Sequence, residues 1–349
     1  MSGKYILQYG NLAGWPYKIA RRLRERGINS INATALVGDV FDLDRKLPYD
    51  DAVYSVNEQE LIIYLKQIIF LGKMLLKCSL VHYHGSRILN FEHHLFEGRI
   101  LKAMNIPMII SFGGGDARIV SMARARNPYF YRMPDEERDT RIRKWLSSIS
   151  KYIRFAATDC EMKEYIEPYF EKVFIFRQPV SLEEMKCRFP DENNGCPVVM
   201  HIPTERWAKG TEYIESAIER LKAEGLSFEF RMIRQLTQKQ VYEQMAECDI
   251  YVDELRCGSH GVTAVEAMAS GKPTITYVRK DLIDKYPPDI PIVNANPDTI
   301  YSVLKKLILD AGLRHEIGKQ SRAYVEKYHA IDVVVSDLLQ IYREIGYQG

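Results

Sequence analysis

Short apolar runs alternate with longer stretches of helical spacing along the whole chain. Residues 5–8 read as a buried strand. Residues 16–26 carry apolar positions at helical spacing and stop at Gly27. Residues 29–36 are β-rich. Helical spacing over 58–77 precedes an apolar strand at 80–83, and helical spacing over 91–104 precedes one at 107–112. A charged helix is expected at 135–150, a strand at 154–157, a helix at 162–169 and a strand at 172–176. A second series follows, with strands at 198–202, 227–233, 250–252 and 274–277. Helices at 211–224, 238–248 and 262–270 separate them, and helices run from 297 to the end. Short apolar strands separated by helices predict parallel sheets covered on both faces. The chain is therefore expected to be α/β, with two doubly wound Rossmann-like domains at 1–180 and 197–330. The polar, turn-rich stretch 181–196 is read as the linker. Ligands of such sheets bind beyond the carboxyl ends of the strands, so two facing domains predict a cleft.

The 349 residues exceed one ordinary core, and 46% hydrophobic with 27% charged residues is a globular composition. The first strand is short and followed at once by glycine, which argues against a signal peptide. The most apolar stretch, 61–76, is interrupted by Tyr64, Lys66, Gln67 and Lys73, which argues against a membrane span. Six scattered cysteines without CxxC pairs fit a reducing cytoplasm. The net charge of +2 hides an asymmetry: about +7 in residues 1–180 and about −5 in the rest. A basic first half suits either an anionic partner or an ordinary solvated surface. No nucleic-acid motif is present, so no nucleic-acid partner is expected.

The most informative stretch runs Gly258-Ser259-His260-Gly261-Val262-Thr263-Ala264-Val265-Glu266-Ala267-Met268-Ala269-Ser270-Gly271-Lys272-Pro273. Gly261 precedes a helix start, where the N–H groups of Val262 and Thr263 can face an anion or a sugar hydroxyl. Glu266, one turn further on, can accept both hydroxyls of a ribose. Upstream, His201-Ile202-Pro203-Thr204-Glu205-Arg206-Trp207-Ala208-Lys209-Gly210 puts two cations, Arg206 and Lys209, beyond a strand end, as a pyrophosphate requires.

The stretch from Gly261 to Pro273 resembles the donor-site signature of family-4 glycosyltransferases and their relatives of the GT-B fold. That signature has a Glu, a Phe-Gly pair, and a second Glu followed by Ala-Met-Ala, Gly and Pro. The Lys209-Gly210 pair resembles the family loop whose lysine binds the donor diphosphate. More loosely, Gly10-Asn11-Leu12-Ala13-Gly14-Trp15 resembles the family's glycine loop at the cleft. Val81-His82-Tyr83-His84-Gly85 resembles its fourth strand end, and Phe112-Gly113-Gly114-Gly115-Asp116-Ala117-Arg118 its Phe-His-Gly-Ser-Asp-Val-Arg run.

The resemblance implies two facing domains, with residues 331–349 forming a last helix that crosses back onto the first. It implies a retaining, metal-independent sugar transfer from a nucleotide-diphosphate donor, UDP favoured, to a saccharide, lipid-linked or small-molecule acceptor. The implied catalytic residues are His84, Asp116, Arg118 and Lys209. The implied donor site is Gly14, Arg206, Lys209, Gly258, His260, Gly261, Val262, Thr263 and Glu266, with no cofactor or metal. Two positions depart from the pattern. Gly258 stands where the family has its first Glu, for which Asp253 or Glu254 is a nearby substitute, and Gly113 stands where it has a histidine. These departures keep open a non-catalytic sugar-nucleotide-binding subunit, beside a nucleotide-sugar epimerase of the same fold. The basic stretches 17–26 and 124–132 are candidates for peripheral contact with an anionic membrane.

Overall fold

The computed structural model describes residues 3–36, 45–85 and 96–349. The first domain holds the strands β1 (Tyr5–Tyr9), β2 (Ser30–Leu36), β3 (Asp51–Ser55), β4 (Cys78–His84), β5 (Met108–Ser111), β6 (Phe155–Thr158) and β7 (Lys172–Ile175). They pair in parallel in the order β3-β2-β1-β4-β5-β6-β7. The second domain holds β8 (Val198–His201), β9 (Glu229–Met232), β10 (Ile250–Val252), β11 (Thr274–Thr276) and β12 (Val293–Asn294), parallel in the order β12-β11-β10-β8-β9. Strand order reverses between β1 and β4 in the first sheet and between β8 and β10 in the second. Those switch points are where a doubly wound sheet opens a crevice for a ligand.

The helices cover both faces, as the apolar spacing requires. In the first domain Phe70 and Met74 of the helix Glu60–Lys77, Leu101 of Phe96–Ala103, and Ile142 and Leu146 of Glu136–Ile149 pack on one face. Of the helix expected at 91–104, residues 91–95 lie outside the described residues. The opposite face is covered by the helix Trp15–Glu25 and by the last helix, Ile331–Glu344. The chain leaves the first domain and returns to it at one place. Val180 N–H donates to the His329 carbonyl at 2.8 Å, and Ile331 N–H donates to the Val180 carbonyl at 2.9 Å.

Beneath the returning helix lies a closed polar chain. His84 Nε2 donates to Gln8 Oε1 at 2.7 Å, and Gln8 Nε2 donates to the Tyr342 hydroxyl at 2.9 Å. That hydroxyl donates to His82 Nδ1 at 2.7 Å, and His82 Nε2 donates to Ser111 Oγ at 2.7 Å. This set of donors gives each hydrogen-bonded atom a compatible partner. Burial lowers both imidazoles, His84 to about 3, so both are neutral at pH 7, as the bonding pattern demands.

Candidate active site

Lys209 ends the one-turn helix Arg206–Lys209, which Gly210 closes at φ 74°. His201 fastens the strand end beneath it. Its Nδ1 donates to the Val252 carbonyl at 2.8 Å and its Nε2 accepts from Thr211 Oγ1 at 2.9 Å. Burial lowers this imidazole to about 4 and keeps it neutral. The Lys209 ammonium is buried and lies 2.5 Å from Asp253 Oδ1 and 3.5 Å from Glu254 Oε2. Both carboxylates follow β10, across the switch point. They hold Lys209 charged despite its burial. Burial, reinforced by the charge of Asp253, pushes Glu254 up to about 7 while Lys209 opposes the rise.

Gly261 brings the helix Val262–Ala269 to this cluster. A methyl group there would stand 3.5 Å from Asp253 Oδ2 and 4.0 Å from the Lys209 ammonium. Its φ of −93° is ordinary and both distances are ordinary van der Waals contacts, so what position 261 contributes is the placing of the helix start beside the cation. The first N–H groups of a helix have no partner within it, and here they start beside a buried cation.

The facing wall belongs to the first domain. Asp116 Oδ1 accepts from Gly114 N–H at 2.8 Å and Gly113 N–H at 3.2 Å, which shapes the glycine loop after β5. Arg118 makes a bidentate pair with buried Glu161, at 2.7 and 2.6 Å. Ser259 of the second domain donates to Glu161 Oε2 at 3.1 Å, tying the two walls together. Between the walls lies a cavity of about 290 Å³, lined among others by the glycine loop, Arg118, Asp159, Lys209, Glu254 and His260.

The departures from the family pattern have steric causes. A methyl at Gly113 would come within 2.4 Å of Leu12 Cδ1, so Leu12 already fills that space. At Gly258 φ is +90°, and a methyl would meet Arg279 Cγ and Asn127 Nδ2, each at 2.8 Å. No glutamate side chain can enter the cleft from position 258 while these neighbours stay.

Arg118, Lys209, His260, Gly261 and Val262 line the cavity, with Thr263 in the same first turn. His260 is buried with both ring nitrogens unpartnered, and burial lowers it to about 4. Asp116 is engaged by its own loop. His84 is not brought to the cleft, because its ring stacks on His82 at 3.9 Å on the face covered by the last helix. Arg206 is held away by a bidentate pair with Glu215 at 2.8 and 2.7 Å. Glu266 lies deeper, its Oε1 accepting from the Tyr242 hydroxyl at 2.8 Å. That hydroxyl in turn accepts from Lys18 of the first domain at 2.9 Å. Gly14 stands near Leu47 and Gln238, beside the same interdomain contact. Sequence reasoning passed over Asp159, Glu161 and Ser259. The signal available for the first two was their place directly after an expected strand.

The basic stretches are largely engaged internally. Arg21 and Arg22 pair with Glu183, Arg24 with Asp50 and Arg26 with Asp332. Arg124 donates to the carbonyls of Phe130 and Arg132, and Arg126 pairs with Glu164.

Residues 209–324 match the family model described as glycosyl transferases group 1. The match falls in the second domain, and the chain as a whole has the GT-B fold. Among solved structures, Anabaena Alr3699/HepE in complex with UDP-glucose is similar over 97% of this chain and 99% of that one, with TM-score 0.65 and 12% identity. Sucrose-phosphate synthase from Thermosynechococcus elongatus is similar over 98% and 99%, with TM-score 0.62 and 13% identity. WaaG, a glycosyltransferase involved in lipopolysaccharide biosynthesis, is similar over 97% of each chain, with TM-score 0.58 and 13% identity. No curated protein sequence matches this chain. Among its described residues no cluster of three or more His, Cys, Asp or Glu could hold a metal, and no helix is long and apolar enough to cross a membrane.

Proposed function

We propose that this chain is a glycosyltransferase that moves the sugar of a UDP-sugar onto an acceptor hydroxyl, with retention and without a metal. The observation that carries the reading is the meeting of buried Lys209 with the helix start at Gly261, on the wall of a cavity shared by both domains. The ammonium and the N–H groups of Val262 and Thr263 bind the donor diphosphate. They stabilise the negative charge that grows on it as the glycosidic bond breaks. A donor of this class is supported by the HepE complex with UDP-glucose. Glu266 holds the ribose. Because Lys18 and Tyr242 cover it, the donor enters when the domains part, and closure then excludes water. Arg118 contributes to the acceptor-side wall. The six free cysteines support a reducing, cytoplasmic setting.

A thermal-shift series with UDP, GDP, ADP and their sugars, repeated on Glu266→Ala, tests the reading. The expected result is a rise of several degrees with UDP or a UDP-sugar that the variant loses. A rise with another base alone overturns the choice of UDP. The space taken by Leu12 beside Gly113 and by Arg279 and Asn127 beside Gly258 favours a second reading, a sugar-nucleotide-binding subunit without its own catalysis. Nucleotide binding with no UDP release from any UDP-sugar and acceptor mixture selects it.

A further inference from the structure

The helix Glu60–Lys77 buries only Phe70 and Met74 against the first sheet. At 100° per residue, Leu61, Leu65, Ile68, Ile69 and Leu76 fall on the opposite side, within about 100° of arc. They are 48–77% exposed. No charged residue interrupts this outer face of the helix. Lys66, Lys73 and Lys77 form a row along one flank, between the outer face and the buried one. Lys66 pairs with Glu58 at 2.6 Å, and Glu60 lies at the opposite, N-terminal end. The helix Phe96–Ala103 shares this side of the sheet and adds exposed Phe96, Arg99 and Lys102.

We propose that this side of the first domain docks on an anionic lipid surface, with the helix Glu60–Lys77 lying in the plane of the interface. Eighteen residues make a rod of about 27 Å whose outer face is apolar along its length and whose flank is cationic. An interfacial helix needs both features, apolar area entering the acyl boundary and cations at the headgroups. The charge pattern suits this occupant better than an antiparallel second copy of the chain. Two copies joined through this face about an antiparallel two-fold axis would set their lysine rows side by side, where like charges repel. The surface is distinct from the basic stretches 17–26 and 124–132, whose arginines are largely engaged within the protein.

The experiment is co-sedimentation of the full chain with phosphatidylcholine vesicles, with and without phosphatidylglycerol, at two salt concentrations, alongside analytical ultracentrifugation. The proposal expects binding that requires phosphatidylglycerol and weakens with salt. Removing two cations with Lys73→Gln and Lys77→Gln is expected to weaken partitioning roughly 30-fold, since each lysine near such a surface contributes about fivefold. Leu65→Glu combined with Ile69→Glu is expected to abolish it. All four side chains are exposed, so an unchanged melting temperature shows that the variants are folded. Equal binding to both vesicle types, or binding indifferent to these substitutions, overturns the proposal. So does a dimer that the Leu65 and Ile69 changes disperse while vesicles are not bound.

Discussion

Replacing Lys209 with alanine is expected to separate turnover from donor affinity. The ammonium faces Asp253 at 2.5 Å and Glu254 at 3.5 Å, so one cation stands against two carboxyl groups. A ground-state diphosphate therefore meets no net positive cluster, and losing the lysine is expected to weaken UDP-sugar binding by less than about tenfold. The leaving diphosphate gains its extra charge only as the bond breaks. Removing one buried, preorganised partner of such a charge typically costs about 100- to 1,000-fold in kcat. The same change leaves Asp253 and Glu254 without their cation, which carries a stability cost of about 3–5 kcal/mol for a buried pair. Protonation of Glu254, already pushed up to about 7, offsets part of that cost. Kinetics must therefore be measured well below the variant's melting temperature, with UDP release as the assay and calorimetry for donor binding. Equal losses in kcat and in affinity, or a kcat loss under tenfold, would refute a leaving-group role for Lys209.

Four further outcomes are expected. Glu254→Gln should raise the melting temperature by a few degrees at pH 8 and change it little at pH 5. A raised carboxyl contributes stability at low pH that is lost as pH climbs through about 7, and glutamine does not ionise; an equal gain at both pH values would contradict this. Gly258→Ala should lower stability by about 1–3 kcal/mol from the left-handed backbone alone, and by more if Arg279 and Asn127 cannot yield; chemical denaturation would measure it. Tyr342→Phe strands Gln8 and His82 and should cost about 2–4 kcal/mol in the same assay, with kcat unchanged. Acid should unfold the protein steeply below pH 6.5. Five buried imidazoles, at His82, His84, His201, His260 and His329, are lowered by burial, so the unfolded chain takes up protons there that the folded one refuses. Four carboxyls raised by burial, Asp116, Asp159, Glu254 and Glu266, act in the opposite sense. The imidazoles outnumber the raised carboxyls, so stability is expected to fall as pH drops from 7 to 5, and a flat stability curve over that range would count against it.

The alternation of apolar runs made most of both sheets legible, because buried parallel strands can hardly be written in other residues. Two edge strands were not. Asp51–Ser55 begins with an exposed aspartate and Val293–Asn294 is only two residues long, so neither carries an apolar run. The helix Cys160–Ile166 starts earlier than its apolar spacing suggests, because Asp159 caps it by accepting from Met162 N–H at 2.8 Å. At the site, Lys209, Gly261 and the helix start are legible because their chemistry is local to short motifs. His84 was misread as facing the cleft. It shares a strand face with Leu80 and His82, and which layer covers that face depends on a helix some 250 residues away. Arg206 was misread because its partner Glu215 lies across a turn that only the folded chain closes.

The returning helix also bears on how the protein is made. Val334, Val335, Leu338 and Tyr342 complete a core begun by Ile6, Leu80 and Ile109. During synthesis the first strands therefore emerge long before the layer that seals them. Domains ordinarily fold in order of emergence, but here the helix Trp15–Glu25 covers only part of one face of the first sheet, and the rest stays open, with the buried polar atoms of Gln8 and His82 lacking Tyr342, until the helix Ile331–Glu344 has left the ribosome. Through that interval the nascent chain exposes apolar strands, which makes it a natural client for holding chaperones. A chain stalled or cut near residue 330 would keep both of its sheets and still lack a finished first domain.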